Sequence, residues 1–171
     1  FTTKVRDIDI HFIQEKGSGP NPMPLLIMHG WPGSIIEFLH IIEKLAHPER
    51  FGGKEEDGFD VIVPSLPGFG FSGAPARPIG PRKIADIFNT LMIKNLGYKN
   101  YIAQGGDWGA TISNWLGYDH SKTCKALHIN CLTMRHPDGP KTKEEEDWQI
   151  MFDKDQIMQD GYRTQQATKP Q

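Results

Sequence analysis

The segment from Lys99 to Ser113, KNYIAQGGDWGATIS, constrains the fold of this chain more than any other stretch. A short apolar run, a glycine-rich turn with one carboxylate at its tip, and a series of helix formers follow one another, which predicts a strand, a sharp turn and a helix. Gly105 and Gly109 stand two residues before and after Asp107, where the absence of a Cβ lets the chain cross itself closely. The first amides and the dipole of the new helix favour an anion, so we expect Asp107 to be raised, exposed and ionised.

The turn matches the G-x-S-x-G pattern of a nucleophile presented between a strand and a helix, with Asp107 in place of serine. The same residues also fit an Asx turn or a helix N-cap, because an aspartate side chain accepts hydrogen bonds from nearby backbone amides. On these residues alone both interpretations stay open, and the rest of the chain has to distinguish them.

Composition narrows the class of protein. With 171 residues, 37% of them hydrophobic, the chain can bury a core and is expected to form one globular domain or most of one. The formal charge of −2 favours neither nucleic acid nor an anionic membrane as a partner. The apolar runs are far shorter than the ~18 residues of a membrane-spanning helix, and we find no signal-peptide pattern. A cytoplasmic location is therefore favoured, with an anchor upstream of Phe1 left open, and the sequence does not indicate an oligomeric state.

The two cysteines are expected to be unpaired. Cys124 and Cys131 are separated by seven residues of a predicted strand, which is roughly 23 Å at ~3.3 Å per residue, whereas a disulfide needs Cα atoms within about 7 Å. This low cysteine content favours a reducing compartment, and two cysteines alone do not make a metal site. We predict neither a metal nor a cofactor.

Strands and helices alternate along the chain. Residues 2–5 and 8–14 predict an antiparallel hairpin, and helices are expected from Ser34, which forms a capping box with Glu37, and from Pro81. Buried strands are predicted at Pro24–His29 and Phe59–Pro64, and one more strand at Lys125–Asn130. This alternation indicates a doubly wound parallel sheet, whose sites lie at the carboxyl ends of the strands. In the helix after the turn, the residues predicted to face the sheet are Trp108, Ile112, Trp115 and Leu116.

The composition changes after the segment His136–Pro140. Thr142 and Glu145 form a second capping box, and an amphipathic helix is predicted from the apolar residues Trp148, Met151, Phe152 and Met158. We therefore divide the chain into residues 1–138 and a separate element, residues 139–171.

Three motifs in order resemble the α/β-hydrolase fold in the version found in epoxide hydrolases, and in particular in the microsomal and juvenile-hormone type. They are HGWPGS at His29–Ser34, PGFGFS at Pro67–Ser72 and GGDWG at Gly105–Gly109. The opening segment, residues 1–14, and the segment 161–171, which is similar to the run that leads into the lid of that family, extend the resemblance over nearly the whole chain.

The resemblance implies a mostly parallel sheet that is flanked by helices and opens with an antiparallel hairpin. Residues 1–138 would form the N-terminal half of the core, and residues 139–171 would begin a lid that this chain carries incompletely. It also implies that Asp107 opens an epoxide through a covalent ester, which water then hydrolyses to a vicinal diol. The expected partners are a small epoxide and water.

Hydrolysis of that ester passes through an oxyanion on Asp107. The resemblance assigns two backbone donors to this oxyanion, the N–H groups of Trp31 and Trp108. Pro32 has no N–H, and the peptide bond before it is expected to be cis. Trp31, Pro32 and Trp108 are also the expected substrate-binding residues. For the two indole side chains, packing in the core is the alternative.

By the family's order, the water-activating histidine, its acidic partner and the epoxide-protonating tyrosines would all lie beyond Gln171. His120, His128 and His136 are predicted at a helix end, in a strand and in a loop, positions typical of surface or structural histidines. Asn130 stands where some dehalogenases carry the acid, so the acid is expected later. The chain is therefore expected to be a fragment that is inactive alone.

Two alternatives stay open. Haloalkane and haloacid dehalogenases share an Asp nucleophile followed by Trp, although many of them have Asn where this chain has Trp31, which favours epoxides. The second alternative is a non-catalytic fragment or a binding module that retains the turn at Asp107.

Overall fold

Six strands form one sheet in the computed structural model, which describes residues 1–131 and 138–168. The strands are β1 (Thr2–Val5), β2 (Ile8–Glu15), β3 (Met23–Met28), β4 (Phe59–Pro64), β5 (Tyr101–Gly105) and β6 (Cys124–Ile129). Their order in the sheet is β1-β2-β4-β3-β5-β6. The pairs β1–β2 and β2–β4 are antiparallel, and the other neighbours are parallel. The predicted mostly parallel sheet with an opening hairpin is therefore confirmed.

The chain divides into two compact units, Phe1–Leu132 and Thr133–Gln171. The helices of the first unit are α1 (Leu39–Ala46), α2 (Pro81–Thr90) and α3 (Trp108–Asp119). Those of the second unit are α4 (Lys143–Gln159) and α5 (Gly161–Thr168). Within residues 1–131 and 138–168, no helix combines the length and apolarity required to cross a lipid bilayer.

The predicted helix boundaries are largely confirmed, with local differences. The capping box of Ser34 and Glu37 is present, but the first turn, Ile35–Phe38, is a 3₁₀ helix that leads into α1. Short 3₁₀ turns also occupy Pro48–Phe51 and Glu55–Asp57.

Both faces of β3 are buried, which explains why its sequence is apolar throughout. Leu26 and Met28 belong to one buried cluster, which includes residues of α2 and α3, whereas Leu25 and Ile27 belong to a second cluster under α1. Successive side chains of a strand point to opposite faces of the sheet, so helices cover both faces of β3.

The predicted inner face of α3 is confirmed except at its first residue. Ile112 and Leu116 are fully buried, and Trp115 packs against the same cluster. The prediction for Trp108 is wrong, because its side chain is 47% exposed. Trp108 opens the helix beyond Gly105, the last residue of β5, so its side chain lies past the edge of the sheet instead of over it.

The cysteines are free, as their spacing predicts. Cys124 is the first residue of β6, and Cys131 follows the end of that strand. Burial raises the pKa of the Cys124 thiol to about 11.

The second unit begins with the predicted capping box of Thr142 and Glu145 at the start of α4. Trp148 stacks on Phe152, with ring centroids 4.9 Å apart. Ile150 is exposed as well as Trp148, and at about 100° per residue these two side chains point to different sides of the helix. The exposed apolar side chains are therefore not confined to one face. The side chain of Met158 lies outside the described part of the chain.

A buried carboxylate ties the amino end of the parallel strands to the segments around it. Asp60 accepts hydrogen bonds from Lys16 Nζ at 2.7 Å, from the Gly17 N–H at 2.9 Å and from the Tyr98 hydroxyl at 2.9 Å. Burial acts to raise the pKa of Asp60, but the hydrogen bonds from Lys16, Gly17 and Tyr98 outweigh it and hold the pKa below its usual value.

We expect Gly109→Ala to lower the free energy of unfolding by about 1–3 kcal/mol, because the added methyl would overlap the carbonyl oxygen of Met28 and overpack the crossing of α3 over β3. The matched control is Gly80→Ala, whose methyl meets nothing within 4 Å and whose φ is −89°. Because Gly80 is the N-cap of α2 and alanine caps less well than glycine, we expect a loss of less than about 1 kcal/mol. Urea unfolding measures both. Equal losses in the two variants would contradict close packing at Gly109.

Asp60→Asn is expected to flatten the acid dependence of stability. A carboxyl whose folded pKa is depressed contributes stability above its unfolded pKa of about 3.9, and this contribution is lost as the pH falls through the folded value. Urea unfolding at several pH values should therefore show the largest difference between wild type and variant above pH about 4, and a shrinking difference below it. The exposed Asp57→Asn is the control. A difference that is independent of pH would contradict the assignment.

Candidate active site at the carboxyl edge of the sheet

Asp107 lies on a sharp turn between β5 and α3, as predicted. Its backbone has φ 48° and ψ −122°, in the positive-φ region that residues other than glycine rarely adopt. β5 lies inside the sheet, between β3 and β6. The strained turn therefore raises an exposed carboxylate above an interior strand, at the edge where parallel strands place their functional residues.

The glycines around Asp107 are required by close approaches of the backbone. A Cβ at Gly105 would overlap the backbone of Gly109, which is the crossing that the sequence predicts. A Cβ at Gly30, in the next strand-end loop, would overlap the Asp107 carboxylate itself. At each of these positions, any residue with a Cβ would displace the turn, so glycine is required.

The carboxylate has a backbone donor from the neighbouring strand end. The Trp31 N–H donates to Asp107 Oδ1 at 2.8 Å. The Trp31–Pro32 peptide bond is cis, as expected. The Trp31 side chain is 40% exposed, so it is not part of the core. Trp108 is the first residue of α3, directly after Asp107.

Asp107 opens onto a cavity of about 300 Å³. Its lining residues are Met28, His29, Gly30, Trp31, Pro32, Glu37, Phe38, Gln104, Gly106, Asp107 and Asn130. We call this cavity the nucleophile recess. Two of the predicted substrate-binding residues, Trp31 and Pro32, lie in it.

Sequence reasoning missed Gln104 and Glu37 as lining residues of the nucleophile recess. Gln104 precedes Asp107 by three residues on β5, and its Oε1 is buried without a hydrogen-bond partner among the described residues. The period-two alternation of β5, in which Tyr101 and Ala103 are buried on the other face, is the signal that could have identified Gln104. Glu37 was assigned only to the capping box.

Trp108 lines a second, apolar cavity of about 290 Å³. Its other lining residues are Leu66, Pro67, Phe69, Pro75, Pro78, Ile79, Pro81 and Ile84. The structure therefore separates Trp108 from Trp31 and Pro32, because Asp107 and its neighbour Trp108 line different cavities.

Neither His120 nor His128 is among the residues that line the nucleophile recess. His120 caps the far end of α3, roughly 18 Å from the turn at 1.5 Å per residue, and its Nε2 lies 3.9 Å from Asp86. His128 is exposed on β6, and His136 lies outside the described residues. Asn130 follows β6 and does line the nucleophile recess.

Two family models match the chain. The model described as alpha/beta hydrolase fold matches residues 23–171, and the model described as epoxide hydrolase N terminus matches residues 1–38. Together they extend over the whole chain.

Named relatives agree with these matches. The chain is 42% identical over 135 residues to epoxide hydrolase 1 of Oryctolagus cuniculus, covering 76% of this chain and 30% of the relative. It is 39% identical over 132 residues to juvenile hormone epoxide hydrolase of Bombyx mori, covering 75% and 28%. The solved structure of an Aspergillus niger epoxide hydrolase superposes with a TM-score of 0.79 at 32% identity, covering 99% of this chain and 45% of that one.

The chain spans between 28% and 40% of the length of the curated relatives that it matches. The match nevertheless includes the hairpin, the parallel strands and the turn at Asp107. The chain therefore belongs to the α/β-hydrolase fold family, and the relatives that it is similar to within that family are named epoxide hydrolases.

Proposed function

We propose that this chain supplies the nucleophile and its backbone donors to an enzyme that hydrolyses epoxides to vicinal diols. The observation that carries the proposal is the hydrogen bond from the Trp31 N–H to Asp107 Oδ1 on a strained strand-to-helix turn. This contact engages Oδ1 and leaves Oδ2 as the oxygen proposed to attack.

In the first step, Asp107 Oδ2 attacks a ring carbon of the epoxide. The ring C–O bond breaks, an ester forms between Oδ2 and that carbon, and the released alkoxide takes a proton from an acid. A carboxylate suits this chemistry better than serine, because a serine alkoxide would leave a stable ether, whereas the Asp107 ester can be cleaved by water.

In the second step, a base takes a proton from water as the water oxygen adds to the carboxyl carbon of Asp107, and the protonated base later returns a proton to the leaving Oδ2. Negative charge builds on Oδ1, where the Trp31 N–H already donates, and the Trp108 N–H at the start of α3 is the second proposed donor. Collapse of the tetrahedral intermediate breaks the bond from the carboxyl carbon to Oδ2, so Oδ2 leaves in the diol and the water oxygen stays in the carboxylate.

The proposed substrate walls are Trp31 and Pro32 in the nucleophile recess and Trp108 in the neighbouring apolar cavity. The exposed indoles of Trp31 and Trp108 suit contact with an apolar substrate better than a role in the core. Residues 1–138 are proposed as the N-terminal half of the core, and residues 139–171 as the beginning of a lid.

We propose that the base and the epoxide-protonating acid are not among residues 1–171, in keeping with the order of these groups in the family that the chain resembles. His29 lines the nucleophile recess, but both of its ring nitrogens have backbone partners. Within the described residues, His120 follows the far end of α3, and His128, the register partner of Gln104, does not line the nucleophile recess.

Hydrolysis of an epoxide is favoured over dehalogenation and over a binding role by the match of residues 1–38 to the epoxide hydrolase N terminus, which includes Trp31 and Pro32. The names of the relatives point to the same substrate class.

A single turnover of the full-length protein in ¹⁸O water should leave the label in the Asp107 carboxylate, because water attacks the ester carbon. Trypsin releases the peptide Asn100–Lys122, which also contains Asp119, so fragmentation has to localise the label. Asp119 is the internal control and should stay unlabelled. Label found only in the diol would refute the covalent step and indicate that Asp107 acts as a general base.

Asp107→Asn should lower the rate of diol formation by at least about 10³-fold, since an amide is a far poorer nucleophile. The matched control is Asp119→Asn, which removes an exposed carboxylate paired with Arg82 and should keep activity within a few-fold. Near-normal activity of Asp107→Asn, in protein whose mass excludes deamidation, would contradict the proposal.

Purified residues 1–171 should show no multiple turnover on an epoxide, because ester hydrolysis lacks its base. Diol formation beyond one equivalent per chain, measured by chromatography, would overturn this prediction. It would then promote His120, His128 or His136 as the base, and substitution of each by Gln would identify which one.

A further inference from the structure

His29 is buried next to the proposed active site, and both of its ring nitrogens are engaged by the backbone. It follows the last residue of β3 and is 1% exposed. Nδ1 lies 2.9 Å from the carbonyl oxygen of Gly30, and the Leu66 N–H lies 3.1 Å from Nε2.

These two partners determine the protonation of the ring. A backbone N–H can only donate, so Nε2 accepts from Leu66 and carries no proton. A carbonyl oxygen can only accept, so Nδ1 carries the proton and donates it to Gly30. Assigned from its partners, His29 is a neutral imidazole in a single tautomer, and neither nitrogen is available for acid-base chemistry.

The Gly30 carbonyl and the Trp31 N–H are the two ends of one planar peptide group. In a trans peptide they point in opposite directions, so a donor that holds the carbonyl also aims the N–H. His29 Nδ1 holds the carbonyl, and the Trp31 N–H points to Asp107 Oδ1 at 2.8 Å. A hydrogen bond to the carbonyl also polarises the peptide and strengthens the donor at its other end.

His29 is itself held by the loop that follows β4. Besides the Leu66 N–H, the Phe69 ring packs edge-on against the imidazole, with centroids 5.6 Å apart. Rotation of the ring would break the bond to Leu66, so the loop fixes the direction in which Nδ1 donates.

We propose that His29 is a positioning residue, which orients the Gly30–Trp31 peptide so that the Trp31 N–H is ready for the oxyanion that forms on Asp107 Oδ1. Both ring nitrogens of His29 are engaged by the backbone, so its polar atoms act on the site through this peptide alone. The inference rests on the proposed function, because it gives the peptide a role in ester hydrolysis.

The two steps should depend on this peptide to different degrees. During ester formation the charge on the Asp107 carboxylate decreases, so the bond from the Trp31 N–H weakens and gives the transition state no advantage. During ester hydrolysis charge develops on Oδ1, and a misaimed donor slows the reaction. A defect that is selective for the second step distinguishes positioning from a general loss of structure.

The experiment compares His29→Asn with His29→Gln in the full-length protein. The Asn amide nitrogen takes the place of Nδ1 and can still donate to the Gly30 carbonyl. The Gln amide oxygen takes the place of Nε2 and can still accept from Leu66, but leaves the Gly30 carbonyl without its donor. Rapid quenching and mass spectrometry measure ester formation and ester decay on the Asp107 peptide.

We expect His29→Gln to slow ester decay by about 10- to 100-fold, somewhat less than the loss of an oxyanion donor, while ester formation changes by less than about 3-fold. We expect His29→Asn to keep ester decay within about 3-fold of wild type. Ester decay at the wild-type rate in His29→Gln, equally slow decay in both variants, or equal slowing of both steps would each overturn the proposal.

A second measurement keeps the inference testable if the wild-type protein forms no ester on Asp107, a result that would refute the proposed function instead. Selective ¹⁵N-tryptophan labelling lets NMR report the Trp31 amide directly, with Trp31→Phe to assign the signal. Slow hydrogen exchange of that amide should survive in His29→Asn and be lost in His29→Gln. Retention in both variants would overturn the positioning role.

Discussion

The hydrogen bond between the Trp31 N–H and Asp107 Oδ1 joins residues 76 positions apart, and it depends on how two strands are paired. β3 and β5 are parallel neighbours, and their last residues, Met28 and Gly105, are register partners. The loops after them therefore begin at the same height above the sheet. A slip of one residue would move one loop by about 3.3 Å, more than the length of the bond. The apolar side chains that determine this register thus determine the site.

The same bond helps to explain how a strained residue persists at the edge of the sheet. The positive φ of Asp107 costs on the order of 1–3 kcal/mol, and it lifts the carboxylate away from hydrogen bonds within the sheet. The close approaches at Gly30 and Gly109 let the loop after β3 and the start of α3 surround the turn. The bond from Trp31 and these close contacts, which only glycine permits, together hold Asp107 in its strained conformation.

Local patterns predicted the fold well, because their causes are local. The glycines around Asp107 indicated a crossing, and the capping boxes at Ser34 and Thr142 indicated helix starts that the structure has. The exposure of Trp108 was not predictable from helical spacing, since spacing does not say that the helix begins past the end of β5. Gln104 and the two bonds of His29 were missed for a related reason. Their environments are assembled from separate strand ends, and Leu66 is 37 residues from His29 in sequence.

The three motifs that carry the resemblance, together with Leu66 directly before the second of them, are joined in the structure by hydrogen bonds and one ring contact. His29 and Gly30 follow the end of β3, Leu66 and Phe69 belong to the loop after β4, and Asp107 follows β5. Contacts run from Leu66 to His29, through the Gly30–Trp31 peptide, to Asp107. Apart from Leu66, the helices and loops between these motifs cover the sheet but contribute no atom to this chain of contacts. Their lengths can therefore change without moving the carboxylate, whereas a change at a strand end is transmitted to it through a single bond.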